Sequence, residues 1–390
     1  MLARRAFLQS SSLLALAPAV PLFVARTARA APTDRDGRVL VVVQLDGGND
    51  ALNTVVPHAD PNYAKLRPTL KIQKRDLVRL SDTLGLHPSL KPLDKLLQDG
   101  QLAVIPGVGY PNPNRSHFES TAIWHTARFD LEEHKGYGWL GRALDPVAGT
   151  SYALSGSVPG ALRGRRSTAL TLGRLEEMAL AEPDALKQDV TSNDQDDLLA
   201  FVRRQAVDAR TASKQLAHVA GGNDTAKYPS TGLADRLNLA ARLLKSNLGA
   251  RVFYTTQSGF DTHAAQEDTH SGLLSEFAGA VAAFFEDLEA AKLSERVALL
   301  AFSEFGRTIR ENGSGGTDHG TAGVVFVAGP GVRGGVAGNM PSLTDLGEGE
   351  PKMTTDFRRI YTSVLESWLG ISSRDAVGGS FEPAALLFRS

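Results

Sequence analysis

Short apolar runs alternate along this chain with longer amphipathic stretches. Val39 to Leu45 is a continuous apolar run rich in β-branched residues, as expected of a strand buried on both faces. After residue 232 strand-like and helix-like segments alternate regularly, which predicts a doubly wound, mostly parallel α/β sheet with helices on both faces. The further predicted strands are Leu102 to Ile105, Thr168 to Leu172, Arg251 to Thr255, Val297 to Phe302 and Val324 to Ala328. The predicted helices are Leu90 to Leu97, His117 to Thr126, Asp194 to Ala220, Leu237 to Leu248, Leu273 to Ala291 and Phe357 to Leu369.

The first thirty residues have the pattern of an export signal rather than of a folded element. MLARRAFLQS contains a twin arginine at Arg4 and Arg5, and the short apolar stretch after it contains two prolines. A small-x-small sequence ends at Ala30, so residues 1–30 are predicted to be a twin-arginine signal peptide. The alternative is an uncleaved membrane anchor. The predicted location of the mature protein is the periplasm or the exterior, without stable membrane insertion.

The remaining residues, 31–390, are predicted to form a single α/β domain. The middle third, at about 130–232, has the least regular pattern and is a possible cap or insertion. A net charge of −1 favours neither nucleic acid nor an anionic membrane as a partner. The sequence contains no cysteine, which excludes disulfides, thiolate nucleophiles and sulfur-ligated metals. Any metal ion must therefore be held by oxygen and imidazole nitrogen.

Acidic residues and histidines flank several of the predicted strands. The carboxyl ends of parallel strands lie side by side, so residues far apart in sequence can meet in one pocket there. Carboxylates and imidazoles that meet make a site for divalent ions such as zinc, manganese, magnesium or calcium. The candidates are Asp46 after VLVVVQL, Asp261 and His263 after RVFYTTQSGF, Glu304 after VALLAFS, and Asp318 and His319 before VVFVAG.

Two of these motifs have structural alternatives. In LDGGND, Asp46 and Asp50 are candidate ligands, but Asp50 or Asn49 can equally cap the next helix. In GFDTH, alternate residues of an extended segment face the same way, so Asp261 and His263 can share one ion. The alternative there is a helix start capped by Asp268 or Thr269.

The later motifs combine a carboxylate with an arginine or a histidine. In SEFGRT, Glu304 suits a metal and Arg307 suits a phosphate or sulfate oxyanion, although an ion pair between the two is an equal alternative. In GSGGTDHGTAG, glycines flank Asp318 and His319 and indicate an irregular loop that brings polar side chains together.

PNPNRSHFEST contains Ser116 next to Arg115, just before a predicted helix. A serine at a helix N-terminus beside an arginine is placed as a nucleophile in an electropositive pocket. From the local sequence alone, an N-cap at Ser116 with Glu119 completing a capping box is the better interpretation.

Two resemblances follow from these motifs. LDGGNDALNTVVP, RSHFEST, GFDTH, SEFGRT, TDHGTAGVVFVAG and TDFRRIYTSVLESWLG resemble the bacterial exported family called domain of unknown function 1501, which implies no reaction. More distantly, the order of motifs is similar to that of the alkaline phosphatase superfamily, which includes sulfatases and cofactor-independent phosphoglycerate mutases. That likeness implies an alkaline phosphatase-like doubly wound sheet, usually with two metal ions.

The superfamily resemblance also implies roles for residues. Asp46 matches the aspartate ligand that ends the first strand, and Ser116 matches the nucleophile. Asp261 and His263 match the aspartate and histidine of the first metal, and His319 matches the histidine of the last loop. One departure is Phe305, which stands where the superfamily usually has a metal-binding histidine.

The resulting hypothesis is a metal-dependent hydrolase of a small anionic phosphate or sulfate ester. Asp261, His263 and His319 would hold one ion. A second ion would be held by Asp46 and Glu304, with Asp50 or Asp318 as further candidates, and Arg307 or Arg115 would contact the ester oxygens. The alternative is a non-catalytic periplasmic binding or assembly protein that retains the fold. A phosphoryl mutase is a third, weaker option, because an exported protein would not meet a glycolytic substrate.

Overall fold

The computed structural model of the protein describes residues 37–134, 136–147, 149–172, 224–246, 250–384 and 387–389. The predicted signal peptide and the predicted helix from Asp194 to Ala220 lie outside these residues. The strands, in chain order, are β1 Val39–Asp46, β2 Val55–Val56, β3 Val78–Arg79, β4 Gly85–Leu86, β5 Leu102–Gly109, β6 Thr150–Ala153, β7 Thr168–Thr171, β8 Ala250–Ser258, β9 Val297–Phe302, β10 Gly323–Ala328, β11 Gly335–Val336, β12 Leu346–Gly347, β13 Glu350–Pro351 and β14 Thr355–Asp356.

One large sheet organises the described part of the chain. Its strands follow the order β11-β5-β10-β9-β1-β8-β6-β7, and β14 also pairs with β5. Each pairing is parallel except those of β10, which runs antiparallel to β5 and to β9. Two small sheets, β2-β4-β3 and β12-β13, lie outside it. The prediction of a mostly parallel α/β sheet is therefore confirmed.

Helices cover both faces of this sheet. None in the described part of the chain has the length and apolar character needed to span a membrane. The α-helices are α1 Ala51–Thr54, α2 Pro61–Leu66, α3 Asp94–Gln98, α4 His117–Thr126, α5 Leu131–His134, α6 Trp139–Leu144, α7 Gly232–Lys245, α8 Gln266–Ala290, α9 Phe357–Thr362 and α10 Arg374–Val377. Single turns of 3₁₀ helix lie at Lys74–Asp76, Asp145–Val147, Gly160–Leu162 and Ser294–Arg296. Pro88–Leu93 is a longer 3₁₀ segment, and Ser363–Trp368 is a π-helical segment that continues α9.

The central strand β1 shows how one apolar run specifies two cores. Val41 and Val43 point to the face covered by α7 and α8, whereas Leu40 and Val42 point to the face covered by α4, α6 and α9. All four side chains are fully buried. Burying one such side chain contributes roughly 1.5–3 kcal/mol, so an uninterrupted apolar run is stable only between two helical layers.

Several predicted boundaries differ from the observed ones. The first half of the segment from Leu90 to Leu97 is 3₁₀ helix and the second half is α3, because Pro92 lies inside the first half and lacks an N–H donor. The long helix α8 begins at Gln266, several residues before the predicted start at Leu273, because its polar first turns carry no apolar periodicity. The predicted final helix ends as α-helix at Thr362.

The described part of the proposed insertion is continuous with the main fold. Strands β6 and β7 extend the large sheet beyond β8, and α6 contributes to one of its two cores. A cap remains a prediction for the rest of that region.

The topology brings four loops to one edge of the sheet. Strands β1, β8 and β9 are parallel neighbours, so their carboxyl ends open at the same edge. Strand β10 runs the other way, so the loop that precedes it reaches this edge too. The carboxyl end of β5 leads through a proline-rich loop to the start of α4.

Candidate metal centre

Ligand atoms from three of these loops converge at that edge. The Nε2 atoms of His117 and His319 lie 3.1 Å apart. The Oδ1 atom of Asp261 lies 3.4 Å from the first and 3.1 Å from the second. His263 adds a third imidazole, because its Nε2 lies 3.0 Å from Nε2 of His319 and 3.0 Å from Oδ1 of Asp261. Among the described residues, His117, Asp261 and His319 form the one group with the spacing of a metal site.

These spacings fit a small tetrahedral ion. Metal–nitrogen and metal–oxygen bonds of about 2.0–2.1 Å place the ligand atoms of a tetrahedral ion roughly 3.3 Å from one another. The five separations that involve His319 or Asp261 are 3.0–3.4 Å and fall around that value, whereas His117 and His263 are not neighbours in this sense. Three imidazoles and one carboxylate are also a donor set that suits zinc.

Each imidazole presents Nε2 because its Nδ1 is engaged elsewhere. Nδ1 of His319 donates to the carbonyl oxygen of Arg115 at 2.8 Å, so this nitrogen carries the ring hydrogen. Nδ1 of His263 lies 3.0 Å from Oδ1 of Asp318. Nδ1 of His117 lies 2.7 Å from Oε1 of Glu304. Unprotonated Nε2 atoms at 3.0–3.1 Å repel each other, and a bound cation converts that repulsion into attraction.

Glu304 therefore lies behind His117 rather than within the ligand group. Its Oε1 also accepts the backbone N–H of Gly47 at 2.9 Å, and the hydroxyl of Ser303 lies 3.0 Å from its Oε2. The hydrogen bond to Glu304 raises the pKa of His117 above its ordinary value, against the opposing effect of burial. The alternative prediction of an ion pair between Glu304 and Arg307 is wrong, since Arg307 pairs with Asp261.

Arg307 lies beneath the group and connects its loops. Nε donates to the carbonyl oxygen of Gly48 at 2.7 Å, and Nη1 donates to that of Thr317 at 3.0 Å. Nη2 contacts the carbonyl oxygens of Gly47 and Phe260 and Oδ1 of Asp261. The side chain is fully buried and all three nitrogens are engaged, which favours a structural role over the predicted contact with a substrate oxyanion.

The environment of Asp261 keeps its carboxylate charged. Burial would raise its pKa, but the hydrogen bond and the positive charge of Arg307 help to lower it to about 2. A carboxylate that stays ionised is ready to bind a cation without first losing a proton.

The loop that carries His319 is held by backbone pairing to the SEFGRT segment. Gly320 donates its N–H to the carbonyl oxygen of Gly306 at 2.9 Å, and Thr308 donates to that of Asp318 at 3.0 Å. A Cβ on Gly320 would lie 2.4 Å from the carbonyl carbon of Arg307, so only glycine permits this approach.

Phe305 packs against the histidines from inside the protein. Its ring centroid lies 4.9 Å from that of His117 and 5.0 Å from that of His319. The ring occupies the space above Gly48, where an added Cβ would lie 2.4 Å from Cε2 of Phe305. Phe305 thus limits the orientation of two imidazoles and offers no ligand atom.

The predicted second group of ligands is brought together only in part. Asp46 lies near Glu304, and burial together with the charge of Glu304 raises its pKa, but neither residue joins the group of His117. Asp50 is fully buried against Arg67, with 2.6 Å between Oδ2 and Nη1. Its Oδ1 accepts backbone N–H groups at the start of α1, so the capping alternative is confirmed. Asp318 contacts His263 as an outer partner.

The loop before α4 supplies the remaining predicted residues. Ser116 is exposed and occupies the N-cap position, but its side chain makes no capping hydrogen bond. The side chain of Asn114 accepts the N–H of Ser116 at 2.8 Å, which forms a turn before the helix, so the predicted capping box is not observed. Arg115 contributes its carbonyl oxygen to His319, and its guanidinium makes no hydrogen bond or ion pair with the described residues.

His117 is not among the ligand candidates named from the sequence, although its neighbours Arg115 and Ser116 are named as site residues. The candidate ligands were sought next to predicted strands. His117 follows no apolar run, so it was not among them. The alternative cap of α8 is also wrong, since Ala265 occupies that position without a side-chain bond. His270, in the same segment, is buried against Asn49, with 2.9 Å between Nε2 and Oδ1, and burial lowers its pKa to about 3.

Solved structures that resemble this chain include a sulfatase, a phosphonate monoester hydrolase and a protein in the alkaline phosphatase superfamily. A PsFucS1 sulfatase from Pseudoalteromonas sp. has 12% identity and a TM-score of 0.43, over 96% of this chain and 76% of that one. A phosphonate monoester hydrolase of Agrobacterium radiobacter has 11% identity and a TM-score of 0.39, over 88% and 78%. A protein in the alkaline phosphatase superfamily from Vibrio parahaemolyticus has 8% identity and a TM-score of 0.36, over 80% and 64%.

These identities and scores support no argument about activity, and no curated protein matches the sequence. The family model described as "Protein of unknown function (DUF1501)" matches residues 38–375, which is most of the chain. The protein therefore belongs to the DUF1501 family.

Proposed function

We propose that this protein is a metal-dependent hydrolase that cleaves a phosphate or sulfate ester. The observation that carries the proposal is the convergence of His117, His263 and His319 with Asp261 at the carboxyl edge of the sheet. Five of the six separations among their ligand atoms are 3.0–3.4 Å, and His117, Asp261 and His319 form a group with the spacing of a metal site. Ligand sites of open α/β sheets lie at this edge.

The chemistry of the site is divided between the ion and the loop before α4. A bound divalent ion supplies a Lewis acid that polarises an ester oxygen and lowers the pKa of a hydroxyl or of water. In this proposal the hydroxyl belongs to Ser116, which is exposed next to His117. In this proposal the guanidinium of Arg115, which precedes Ser116 in the same loop, contacts the anionic oxygens of the ester.

We propose that the site binds one ion. Zinc fits the ligands better than manganese, magnesium or calcium. Imidazole nitrogen outnumbers carboxylate oxygen in the group, whereas magnesium and calcium prefer oxygen ligands. Phe305 packs against two of the histidines, and Glu304 is occupied by Nδ1 of His117. A second ion at Asp46 and Glu304 would compete with His117 and Gly47 for the oxygens of Glu304.

We also propose export through the twin-arginine pathway, on the sequence MLARRAFLQS and the following apolar stretch. That pathway carries folded proteins, which agrees with a metal centre assembled before export. The mature protein would then meet small anionic esters in the periplasm or outside the cell.

The test is a turnover assay on the purified mature protein. Zinc, manganese, magnesium and calcium are each added, and hydrolysis of an aryl phosphate, a phosphodiester and an aryl sulfate is measured. We expect turnover of one ester class with zinc, and its loss in His319→Ala. An absence of turnover with every metal and ester contradicts the proposal.

A second candidate function is metal-dependent binding or assembly without catalysis. Phe305 favours it, because a buried ring stands where the resemblance implies a metal-binding histidine. Zinc bound in stoichiometric amount together with no turnover of any ester would select this function.

A further inference from the structure

Glu304 is a buried carboxylate whose main ionic partner is a histidine. Its side chain has 0% exposure, and it forms no ion pair with a lysine or arginine in the described part of the chain. Oε1 lies 2.7 Å from Nδ1 of His117 and also accepts the N–H of Gly47. A buried negative charge costs free energy unless a positive charge or hydrogen bonds compensate it. The contact with His117 therefore compensates much of the cost of burying the charge of Glu304.

The three imidazoles differ in what holds their Nδ1 atoms. His117 contacts the carboxylate of Glu304 at 0% exposure, whereas His263 contacts that of Asp318 at 62% exposure. His319 contacts a neutral carbonyl oxygen. Water screens the charge of Asp318, but it does not reach Glu304. Two histidines thus have a carboxylate at Nδ1. The carboxylate of Glu304 is buried and interacts strongly, whereas that of Asp318 is exposed and interacts weakly, so Asp318 is a matched control.

We propose that Glu304 is a positioning residue of the metal centre, which holds His117 with Nε2 directed at the other ligands and strengthens its bond to a divalent cation. The proposal rests on the proposed function only for the existence of the metal centre. A carboxylate behind a ligating histidine fixes its tautomer and orientation and increases its basicity as a ligand. Glu304 was predicted from the sequence as a ligand itself, and this role replaces that one.

The first experiment compares zinc affinities of Glu304→Gln and Asp318→Asn with that of the wild type. Glutamine retains the size and a hydrogen-bond acceptor of Glu304 and removes the charge. We expect the zinc dissociation constant, measured by competition with a chelator, to rise about 10–100-fold in Glu304→Gln. In Asp318→Asn we expect a rise of about fivefold or less. Equal effects of the two substitutions, or no effect in Glu304→Gln, would overturn the proposal.

A second measurement serves if Glu304→Gln fails to fold. Nitrogen NMR shifts of the histidine rings in metal-free wild-type protein, at about pH 8.5, report which nitrogen carries the hydrogen. We expect His117 to have hydrogen on Nδ1 and none on Nε2. The opposite tautomer, or a mixture of the two, would contradict the positioning role without any variant.

Failure here is distinguishable from failure of the proposed function. Wild-type protein that binds zinc and cleaves no ester would refute hydrolysis and leave the affinity comparison valid. Turnover with normal zinc affinity in Glu304→Gln would refute the positioning role and leave hydrolysis supported.

Discussion

Two aspartates at the same edge of the sheet are each paired with a buried arginine, yet only one of them joins the ligand group. Asp261 contacts Arg307 through Oδ1 at 2.5 Å, and Asp50 contacts Arg67 through Oδ2 at 2.6 Å. Both have a pKa lowered to about 2, although burial alone would raise it. From the sequence, both were candidate metal ligands.

The difference lies in the other neighbours of each carboxylate. Both oxygens of Asp50 accept hydrogen bonds, from Arg67, from Gln266 and from backbone N–H groups, and no surface is left for an ion. Asp261 is half-exposed, and its remaining neighbours are imidazole nitrogens. Asp50 is structural because all its acceptor sites are filled. Asp261 is a candidate ligand because it lies at an open edge and faces the lone pairs of several imidazole nitrogens.

Removing the structural arginine should have the largest effect on stability. Arg67→Met leaves Asp50 buried without its partner, and also removes donors to the carbonyl oxygens of Thr308 and Ile309. We expect the free energy of unfolding to fall by about 3–5 kcal/mol. Denaturant unfolding measures this loss, and the zinc affinity of the folded fraction should stay at the wild-type value. A loss below about 1 kcal/mol, or a loss of zinc binding, would break the distinction between the two aspartates.

The next largest effect should be a loss of stability at low pH that is due to Asp50. Its folded pKa of about 2 lies below the ordinary aspartate value of 3.8, so its charge stabilises the folded state above pH 3.8 and ceases to do so as pH falls towards 2. The difference corresponds to about 2 kcal/mol. Asp261 has the same direction of shift, but solvent screens it and its contribution should be smaller. The fall in unfolding free energy between pH 4 and pH 2 should therefore become smaller in Asp50→Asn than in Asp261→Asn. The reverse order would contradict the comparison.

Gly48 connects the two regions, since its carbonyl oxygen accepts from Arg307 and Asp50 lies two residues beyond it. Gly48→Ala places a Cβ 2.4 Å from Phe305 at a backbone φ of +76°. We expect a loss of about 1–3 kcal/mol in unfolding free energy. Zinc affinity should fall as well, because Phe305 supports His117 and His319. Gly313→Ala is the matched control, with nothing within 4 Å of its Cβ, and should change neither quantity. Unchanged zinc affinity in Gly48→Ala would show that Phe305 does not orient the histidines.

The sequence predicted the sheet well because burial on both faces requires continuous apolar runs. Val39 to Leu45 and Val297 to Phe302 lie in strands that the structure also contains. Helix ends were predicted less well, because polar first turns such as those from Gln266 carry no apolar signal. The π-helical segment at Ser363–Trp368 has no signature that the periodicity could show.

The candidate site was harder to predict, because contacts between loops decide it. Asp261, His263 and His319 were named from their places near predicted strands. The exclusion of Asp50 depends on Arg67, which the local motif LDGGND does not contain. Glu304 was assigned to the ion itself because its nearest partner, His117, lies 187 positions away along the chain. His117 follows no apolar run, so only the fold brings it to the other histidines.

The most direct test of the metal centre is the zinc content of the mature wild-type protein and of His117→Ala. Both proteins are incubated with zinc, the excess is removed, and the metal is measured by elemental mass spectrometry. His270→Ala, which removes a histidine beside Asp50, is the control. We expect about one equivalent of zinc in the wild type and in His270→Ala, and none in His117→Ala. No zinc in the wild type, or the same content in His117→Ala, would contradict the assignment of a metal centre to this group of residues.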